Sequence, residues 1–283
     1  MTALANLPPV RILVTNDDGI DSVGLHVLAR TMARHGHVTV AAPDSEYSGA
    51  SAAFGALHVM QPEMHRVELE GVDEAWSITG PPGLCVMFAR LGALGDPFDL
   101  VVAGINPGSN VGRSVYHSGT VGAAITARNG GIHGIAVSQA VEHWGVEGQG
   151  WEDVLAQQKW HSAAAVADAA VEGFIADPPV EPSVLNLNVP NLEVDDMLGW
   201  RMTEVGVIPP RTMSRAVRTP KPGHDGSYRV KMEWGDPVDL PVDTDAGAVM
   251  HGYVSVTWIS RYEAVDPEGS ASTTKAIDTL LGG

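Results

Sequence analysis

The sequence predicts an α/β protein of three layers, in which a Rossmann-like, mostly parallel sheet carries a C-terminal β-hairpin or arm extension. Short apolar and β-branched runs end abruptly in turn residues, which is typical of buried strands. Helical patterns lie between these runs, and a strand, a helix and a strand follow one another within residues 10–43. This succession is a βαβ unit, which implies that the two strands run parallel.

The first βαβ unit is the clearest part of the pattern. Residues 10–15 (VRILVT) form an apolar strand that stops at the turn sequence NDDG. Leu25, Leu28 and Met32 then share one face of a helix, and Gly36 is placed to end it. The same signals predict the later elements: strands over residues 38–43, 98–104, 134–138 and 184–190, and helices over residues 121–127 and 153–177.

The character of the chain changes at residue 196. Seven of the seventeen basic residues fall within residues 201–231, where four prolines also occur. Residues 227–234 alternate in polarity like an exposed strand, and residues 252–259 are a further strand candidate. We therefore expect an α/β core over 1–195 and a β-arm extension over 196–283, within one structural domain. A hairpin that builds a subunit contact is the favoured interpretation of the arm, and substrate contact by its Arg and Lys residues is the alternative.

Composition restricts the partners of the chain. Seventeen Lys and Arg residues stand against 34 Asp and Glu residues, which gives a net charge of −17. This charge disfavours nucleic acid polymers and anionic membranes, but it is compatible with a small phosphorylated substrate beside a divalent cation. One cysteine, Cys85, excludes an internal disulfide, and neither a secretory signal nor a membrane-spanning run is recognisable. We therefore expect a cytoplasmic protein.

Oxygen-bearing side chains follow three of the predicted strands. Asp17 and Asp18 come after the first strand, Ser48 lies in the loop after the second, and Asn106 follows the third. Ligands of open parallel sheets bind beyond the carboxyl ends of the strands. Carboxylate, hydroxyl and amide oxygens therefore predict one divalent metal ion per subunit, Mg²⁺ or Mn²⁺, with Ca²⁺ also able to occupy the site. Each turn alone is typical of a solvated turn or helix cap, and only their joint placement favours a metal.

A glycine-rich stretch after the third strand indicates an anion site. Residues 106–112 (NPGSNVG) and 117–120 (HSGT) lead into the predicted helix over residues 121–127. Glycines and a helix N-terminus both present backbone N–H groups to a phosphate. Capping of the helix by Ser118 or Thr120 is the alternative, and it is compatible with phosphate binding.

His117 lies directly before Ser118, Gly119 and Thr120 and is a candidate general acid for the leaving alkoxide. The alternative is a surface or structural histidine.

The glycine-rich stretch lacks the Gly-Lys-Ser/Thr end of a P-loop and the spacing of a dinucleotide fingerprint. The sequence has no GxSxG elbow where an α/β-hydrolase would need one, which disfavours a Ser/His/Asp hydrolase.

Together these motifs resemble the SurE family, the stationary-phase survival proteins that act as 5′/3′-nucleotidases. The matching stretches span nearly the whole chain: RILVTNDDGI, GLHVLA, VTVAAPDSEYSGAS, DLVVAGINPGSNVGRSVYHSGTVGAAITA, GIAVS, LNLNVP, TDAGAV and GYVSVTWI. The resemblance implies an α/β core, a divalent cation and phosphomonoesterase activity on nucleoside monophosphates. It also implies a homodimer or homotetramer, formed partly by an exchanged C-terminal arm.

The resemblance also implies roles for individual residues. Those roles are metal binding by Asp17, Asp18, Ser48 and Asn106, and substrate binding by Asn110, Ser118, Gly119 and Thr120 beside His117. Our working hypothesis for the reaction adds catalysis by Asp17, Asp18 and His117. The four metal ligands are the residues that the strand ends had already indicated. In the implied reaction the metal activates a water, and one of the two aspartates orients or deprotonates it.

Two positions depart from the family pattern. Residues 80–84 read GPPGL where the family usually has Gly-Thr-Pro-Ala-Asp, and Trp258 stands where the family often has proline. The first departure removes a hydroxyl and a carboxylate, which bears on substrate preference rather than on metal binding. Two alternatives therefore stay open: the same chemistry on a non-nucleotide phosphomonoester or short polyphosphate, and a catalytically silent nucleotide-binding module.

Overall fold

The computed structural model describes residues 9–55, 57, 61–141, 151–211, 215–233, 235–260 and 271–281. The strands are β1 (Val10–Thr15), β2 (Gly36–Pro43), β3 (Met64–Val67), β4 (Glu74–Ile78), β5 (Leu100–Pro107), β6 (His133–Gln139), β7 (Val184–Val189), β8 (Trp200–Met202), β9 (Arg215–Pro220), β10 (Tyr228–Glu233) and β11 (Val254–Ile259). The helices are α1 (Val23–Met32), α2 (Pro82–Arg90), α3 (Gly119–Asn129), α4 (Trp151–Ala156), α5 (Trp160–Ala176), α6 (Asp245–Met250) and α7 (Ala271–Leu281). Short 3-10 helices cover Gly112–Tyr116 and Val194–Asp196.

Nine of the described strands form one sheet in the order β3-β4-β2-β1-β5-β6-β7-β11-β8. The six strands from β4 to β7 in this order pair in parallel. β3 and β11 pair antiparallel with β4 and β7, and β9 and β10 form a separate antiparallel hairpin. The predicted Rossmann-like α/β fold, with its mostly parallel sheet and small hairpin, is confirmed.

Helices cover both faces of the sheet because alternate side chains of each strand point to opposite sides. Ile12 and Val14 of β1 belong to the core that includes Leu28 of α1 and residues of α5. Leu13, between them, packs in a second core with Cys85 of α2 and Ala123 of α3. Burial on both sides explains why β1 reads as a continuous apolar run. No helix in the described residues is long and apolar enough to cross a membrane.

Two element boundaries differ from the sequence prediction. Gly36 does not end α1, which stops at Met32, but begins β2. A Cβ at Gly36 would lie 2.0 Å from the Val10 carbonyl oxygen, so glycine is required there by strand pairing rather than by helix termination. Asn106, predicted to follow the third strand, lies inside β5 and pairs with Ser138 beyond a register shift. The ladder therefore continues into the site that we expected to lie beyond it.

The prediction of a single helix over residues 153–177 is wrong, because the chain forms α4 and α5 with a break between them. At the break, Asn191 accepts a hydrogen bond from the Lys159 N–H and donates one to the Gln157 carbonyl. Gln139 also donates to the Lys159 carbonyl. These side chains replace helical hydrogen bonds with tertiary ones, and they tie the break to the ends of β6 and β7.

The region after residue 195 divides between two structures. β8 and β11 extend the central sheet beyond β7, whereas β9 and β10 form the exposed hairpin. β10 agrees with the alternating strand predicted over residues 227–234, of which position 234 lies outside the described residues. The proposed division of the chain at residues 195 and 196, and the role of the arm in a subunit contact, stay predictions.

Gly134 provides a test of how closely α3 packs on β6. A Cβ at Gly134 would lie 2.5 Å from the Ala124 carbonyl oxygen, so Gly134→Ala must displace α3. We expect the free energy of unfolding to fall by about 1–3 kcal/mol, measured by urea denaturation. In the control Gly173→Ala, no atom lies within 4 Å of the new Cβ, and we expect a gain of about 0.5–1 kcal/mol. Equal stability of the two variants would contradict this account of the packing.

Candidate metal centre

The candidate site lies at the carboxyl edge of the sheet, around the end of β1. β1 is hydrogen-bonded to β2 on one side and to β5 on the other. The segments that follow these three strands therefore meet at one edge, because parallel strands end on the same side. Asp17 and Asp18 follow β1, Ser48 lies in the loop after β2, and Asn106 is near the end of β5.

Asp17 is held against the N-terminus of α3. Asp17 is only 3% exposed, and its carboxylate accepts hydrogen bonds from the Thr120 hydroxyl at 2.5 Å and the Gly119 N–H at 3.1 Å. A Cβ at Gly119 would lie 2.7 Å from the Asp17 Cβ, so glycine permits this approach. The positive end of the helix dipole favours a negative charge at this position. Burial nevertheless raises the pKa of Asp17, against the lowering effect of the Thr120 hydrogen bond.

Asp18 lies in a region of concentrated negative charge. Burial, followed by the charges of Asp17 and Glu46, raises the pKa of Asp18 to about 8. The Asp18 Oδ2 atom is buried and has no hydrogen-bond partner among the described residues. A carboxylate in this state favours either a proton or a cation, since both remove the cost of its buried charge.

The loop after β2 is attached to the backbone of Asp17. The Tyr47 N–H donates to the Asp17 carbonyl at 2.8 Å, and the Ser48 N–H donates to Glu46 Oε1 at 2.6 Å. Ser48 itself is exposed. Sequence reasoning did not identify Glu46, which orders the backbone of a predicted ligand and adds a third carboxylate close to Asp17 and Asp18.

Asn106 is oriented by the backbone of its own loop, whereas Asn110 is oriented by polar side chains of neighbouring strands. The Asn106 amide nitrogen donates to the Gly108 carbonyl at 2.6 Å, so the amide oxygen is the end that can bind a cation. Asn110 is buried, and its amide nitrogen donates to the Ser138 hydroxyl at 2.9 Å. The side chains of Asn186 and Asn188 bind its backbone. The predicted substrate contact of Asn110 stays a prediction.

The predicted phosphate-binding residues before α3 already have structural partners. Ser118 caps α3 by accepting a hydrogen bond from the Val121 N–H, as the alternative interpretation expected. Gly119 and the Thr120 hydroxyl bind Asp17, and Thr120 is fully buried. These contacts serve the predicted metal ligand, and direct contact of the three residues with a substrate stays a prediction. His117 is exposed, and its carbonyl accepts a hydrogen bond from the Ser51 N–H.

Two further polar residues of this region escaped sequence reasoning. Ser109 has a buried hydroxyl with no hydrogen-bond partner among the described residues, beside the buried Asn110. Asp245 is fully buried, and its carboxylate accepts a hydrogen bond from the Gly112 N–H. Asp245 lies in the TDAGAV stretch that contributed to the resemblance, but nothing in that stretch indicates which loop its carboxylate contacts.

The residues at this edge fit a divalent cation. No three His, Cys, Asp or Glu side chains in the described ranges form a metal-binding group by themselves. A cation would therefore need the neutral oxygens of Ser48 and Asn106 in addition to the carboxylates of Asp17 and Asp18. Such an oxygen-only set favours Mg²⁺ or Mn²⁺ over a soft metal. The buried Asp18 Oδ2 without a donor is the atom that most clearly calls for a positive partner.

Metal affinity should depend on pH through Asp18. Its pKa of about 8 in the metal-free protein means that a cation must displace a proton at neutral pH. We expect the Mn²⁺ affinity, measured by titration calorimetry, to rise by up to about tenfold per pH unit and to level off above the pKa. Glu46→Gln removes a charge that raises this pKa, so the rise should move to lower pH. The same profile in Glu46→Gln and in the exposed control Glu172→Gln would argue against this origin.

Thr120 should affect metal binding through Asp17. Thr120→Val keeps the shape of the side chain but removes the hydroxyl that donates to Asp17. We expect Mn²⁺ affinity to fall by about 10- to 100-fold, and Thr120→Ser to recover most of it. The matched control is Thr126→Val in the same helix, because the Thr126 hydroxyl donates to the Gly122 carbonyl of the helix itself. If both valine variants bound Mn²⁺ equally well, the Thr120 hydroxyl would not support metal binding through Asp17.

Known proteins share both the motifs and the architecture of this chain. The family model described as "Survival protein SurE" matches residues 12–209. The crystal structure of the SurE protein from Aquifex aeolicus is similar, with a TM-score of 0.72 and 28% sequence identity. The similarity covers 96% of this chain and 99% of that chain. The chain belongs to the SurE family.

Proposed function

We propose that the chain is a metal-dependent phosphomonoesterase that hydrolyses nucleoside 5′- or 3′-monophosphates to nucleoside and phosphate. The proposed ligands of one Mg²⁺ or Mn²⁺ per subunit are Asp17, Asp18, Ser48 and Asn106. The family resemblance supports the nucleotide as substrate and a homodimer or homotetramer as assembly, and the sequence, in which no secretory signal or membrane-spanning run is recognisable, supports the cytoplasm as location.

One observation carries the proposal: Asp17, which precedes Asp18 in the chain, lies against the N-terminus of α3. The hydrogen bonds from Gly119 and Thr120 fix Asp17 in this position. The chain that leads to α3 also carries Ser109, Asn110 and His117. Two carboxylates that suit a cation therefore stand beside a loop of polar side chains, and this combination suits a phosphate with its counterion.

The two aspartates differ in what they can do. A bound divalent cation would neutralise charge at phosphorus and lower the pKa of a bound water. Both carboxylate oxygens of Asp17 accept hydrogen bonds, so Asp17 is a fixed ligand. Asp18 Oδ2 accepts none from the described residues, so we assign Asp18 the role of orienting the attacking water and accepting its proton.

The β5–α3 loop supplies the remaining roles in the proposed reaction. Donors from Ser109 and Asn110 would stabilise the charge that the phosphate oxygens carry in the transition state. His117, whose side chain is exposed, would donate a proton to the leaving alkoxide. Gly119 and Thr120 would contribute by holding Asp17, and Ser118 by capping α3 beside them.

Phosphate release tests the proposal. The assay uses a panel of 5′- and 3′-nucleoside monophosphates with metal-stripped protein, before and after addition of Mg²⁺ or Mn²⁺. We expect metal-dependent release, and a loss of about 1,000-fold in kcat/KM in Asp17→Asn and Asp18→Asn, which corresponds to about 4 kcal/mol. The matched control is Asp21→Asn, an exposed aspartate in the same segment, which should retain activity.

Other outcomes would distinguish the alternatives. Release only from non-nucleotide phosphomonoesters or short polyphosphate would keep the chemistry and reject the nucleotide as substrate. Tight nucleotide binding without release in any divalent metal would favour the silent binding module. Full activity in Asp18→Asn would refute the assignment of Asp18.

A further inference from the structure

Asp245 joins three parts of the chain that are distant in sequence. Its Oδ2 atom accepts a hydrogen bond from the Gly112 N–H at 2.7 Å. Its Oδ1 atom accepts one from the Gly206 N–H at 3.0 Å and one from the Ala246 N–H at 2.8 Å. The first contact spans 133 residues, and the second spans 39. Both oxygens of the carboxylate are therefore bonded to backbone groups.

The carboxylate is enclosed within the protein. Asp245 is 0% exposed and is the first residue of α6, behind the N-cap Thr244. A buried carboxylate is tolerated when several N–H donors satisfy it. The three N–H groups stabilise the buried carboxylate of Asp245, and the carboxylate in turn holds the backbone at these N–H groups in place. Gly112, Gly206 and the start of α6 consequently form one polar junction.

The Gly112 end of this junction belongs to the β5–α3 loop. Gly112 begins the 3-10 helix that ends at Tyr116, and His117 and Ser118 follow directly. On its other side lies Asn110, whose backbone and side chain are fixed by Asn186, Asn188 and Ser138. Polar groups of β6 and β7 thus hold the first half of the loop, and Asp245 holds the point where its second half begins.

We propose that Asp245 is a positioning residue for the phosphate site, which sets the conformation of the β5–α3 loop through the Gly112 N–H. This inference rests on the proposed function. Asp245 belongs to α6, and its carboxylate accepts hydrogen bonds from Gly112, Gly206 and Ala246, none of which is a proposed metal ligand. Its loss should therefore weaken phosphate binding and raise KM while leaving the affinity for the divalent cation unchanged.

Asp245→Asn tests the inference in the full-length protein. The amide nitrogen should face Gly112, because the Oδ2 position accepts one hydrogen bond whereas Oδ1 accepts two. We expect the affinity of Mn²⁺-loaded protein for inorganic phosphate to fall by about 10- to 100-fold, with Mn²⁺ affinity within twofold of the original. Hydrogen exchange of the amides in residues 112–117 should also become faster.

Two further variants separate positioning from a loss of folding. The matched control is Asp243→Asn, the same change at an exposed aspartate two residues away, which should leave all three measurements unchanged. Gly206→Ala keeps the charge of Asp245 but places a Cβ 3.2 Å from its Oδ1 atom, so the carboxylate must shift slightly. We expect a smaller loss of phosphate affinity in this variant, so the inference stays testable even if Asp245→Asn does not fold.

The outcomes distinguish this inference from the proposed function. If the original protein binds phosphate with Mn²⁺ and folded Asp245→Asn binds it equally well, the inference is refuted and the function stands. A parallel loss of Mn²⁺ affinity would also refute it, because the residue would then support the whole edge of the sheet. Absence of phosphate binding to the original protein with any divalent cation would reject both.

Discussion

The structure of the site depends on one buried carboxylate, Asp17, and on the two donors that satisfy it. A carboxylate at 3% exposure is unfavourable unless hydrogen bonds or a cation compensate its charge. Thr120 and Gly119 supply those bonds from the first turn of α3. The helix must therefore begin directly against the end of β1. The position of Asp17 therefore determines how β1, the turn that follows it and α3 lie relative to one another.

Close packing of small residues around α3 follows from that constraint. Gly119, Gly122 and Gly134 lie where a Cβ would come within 2.7 Å of Asp17, Ser51 or Ala124 atoms. The Gly122 contact brings the loop after β2 against the helix, and that loop carries Ser48 and is bonded to the Asp17 backbone through Tyr47. Gly119 and Gly122 of α3 thus allow the turn after β1 and the loop after β2 to approach the same helix.

The β5–α3 loop is fixed by buried polar groups in addition to Val115, which packs in a small hydrophobic core. Asn186, Asn188 and Ser138 bind Asn110, and Asp245 binds Gly112. Buried polar networks of this kind have strict geometry, because each unsatisfied member costs free energy. The Ser109 hydroxyl and the Asp18 Oδ2 atom are among the buried side-chain atoms without a hydrogen-bond partner in the described ranges, and both lie in the segments of the proposed site.

The sequence by itself determined the α/β architecture and pointed to the edge of the sheet where the aspartates lie, since both follow from local patterns. Apolar runs such as residues 10–15 and turns such as NDDG keep their meaning without knowledge of distant partners. Tertiary structure alone decided that Thr120 serves Asp17, that Asn191 interrupts the expected long helix, and that Asp245 reaches Gly112. Each of these contacts joins residues at least 32 positions apart, and a hydrogen bond across such a distance leaves no periodic signal in the chain.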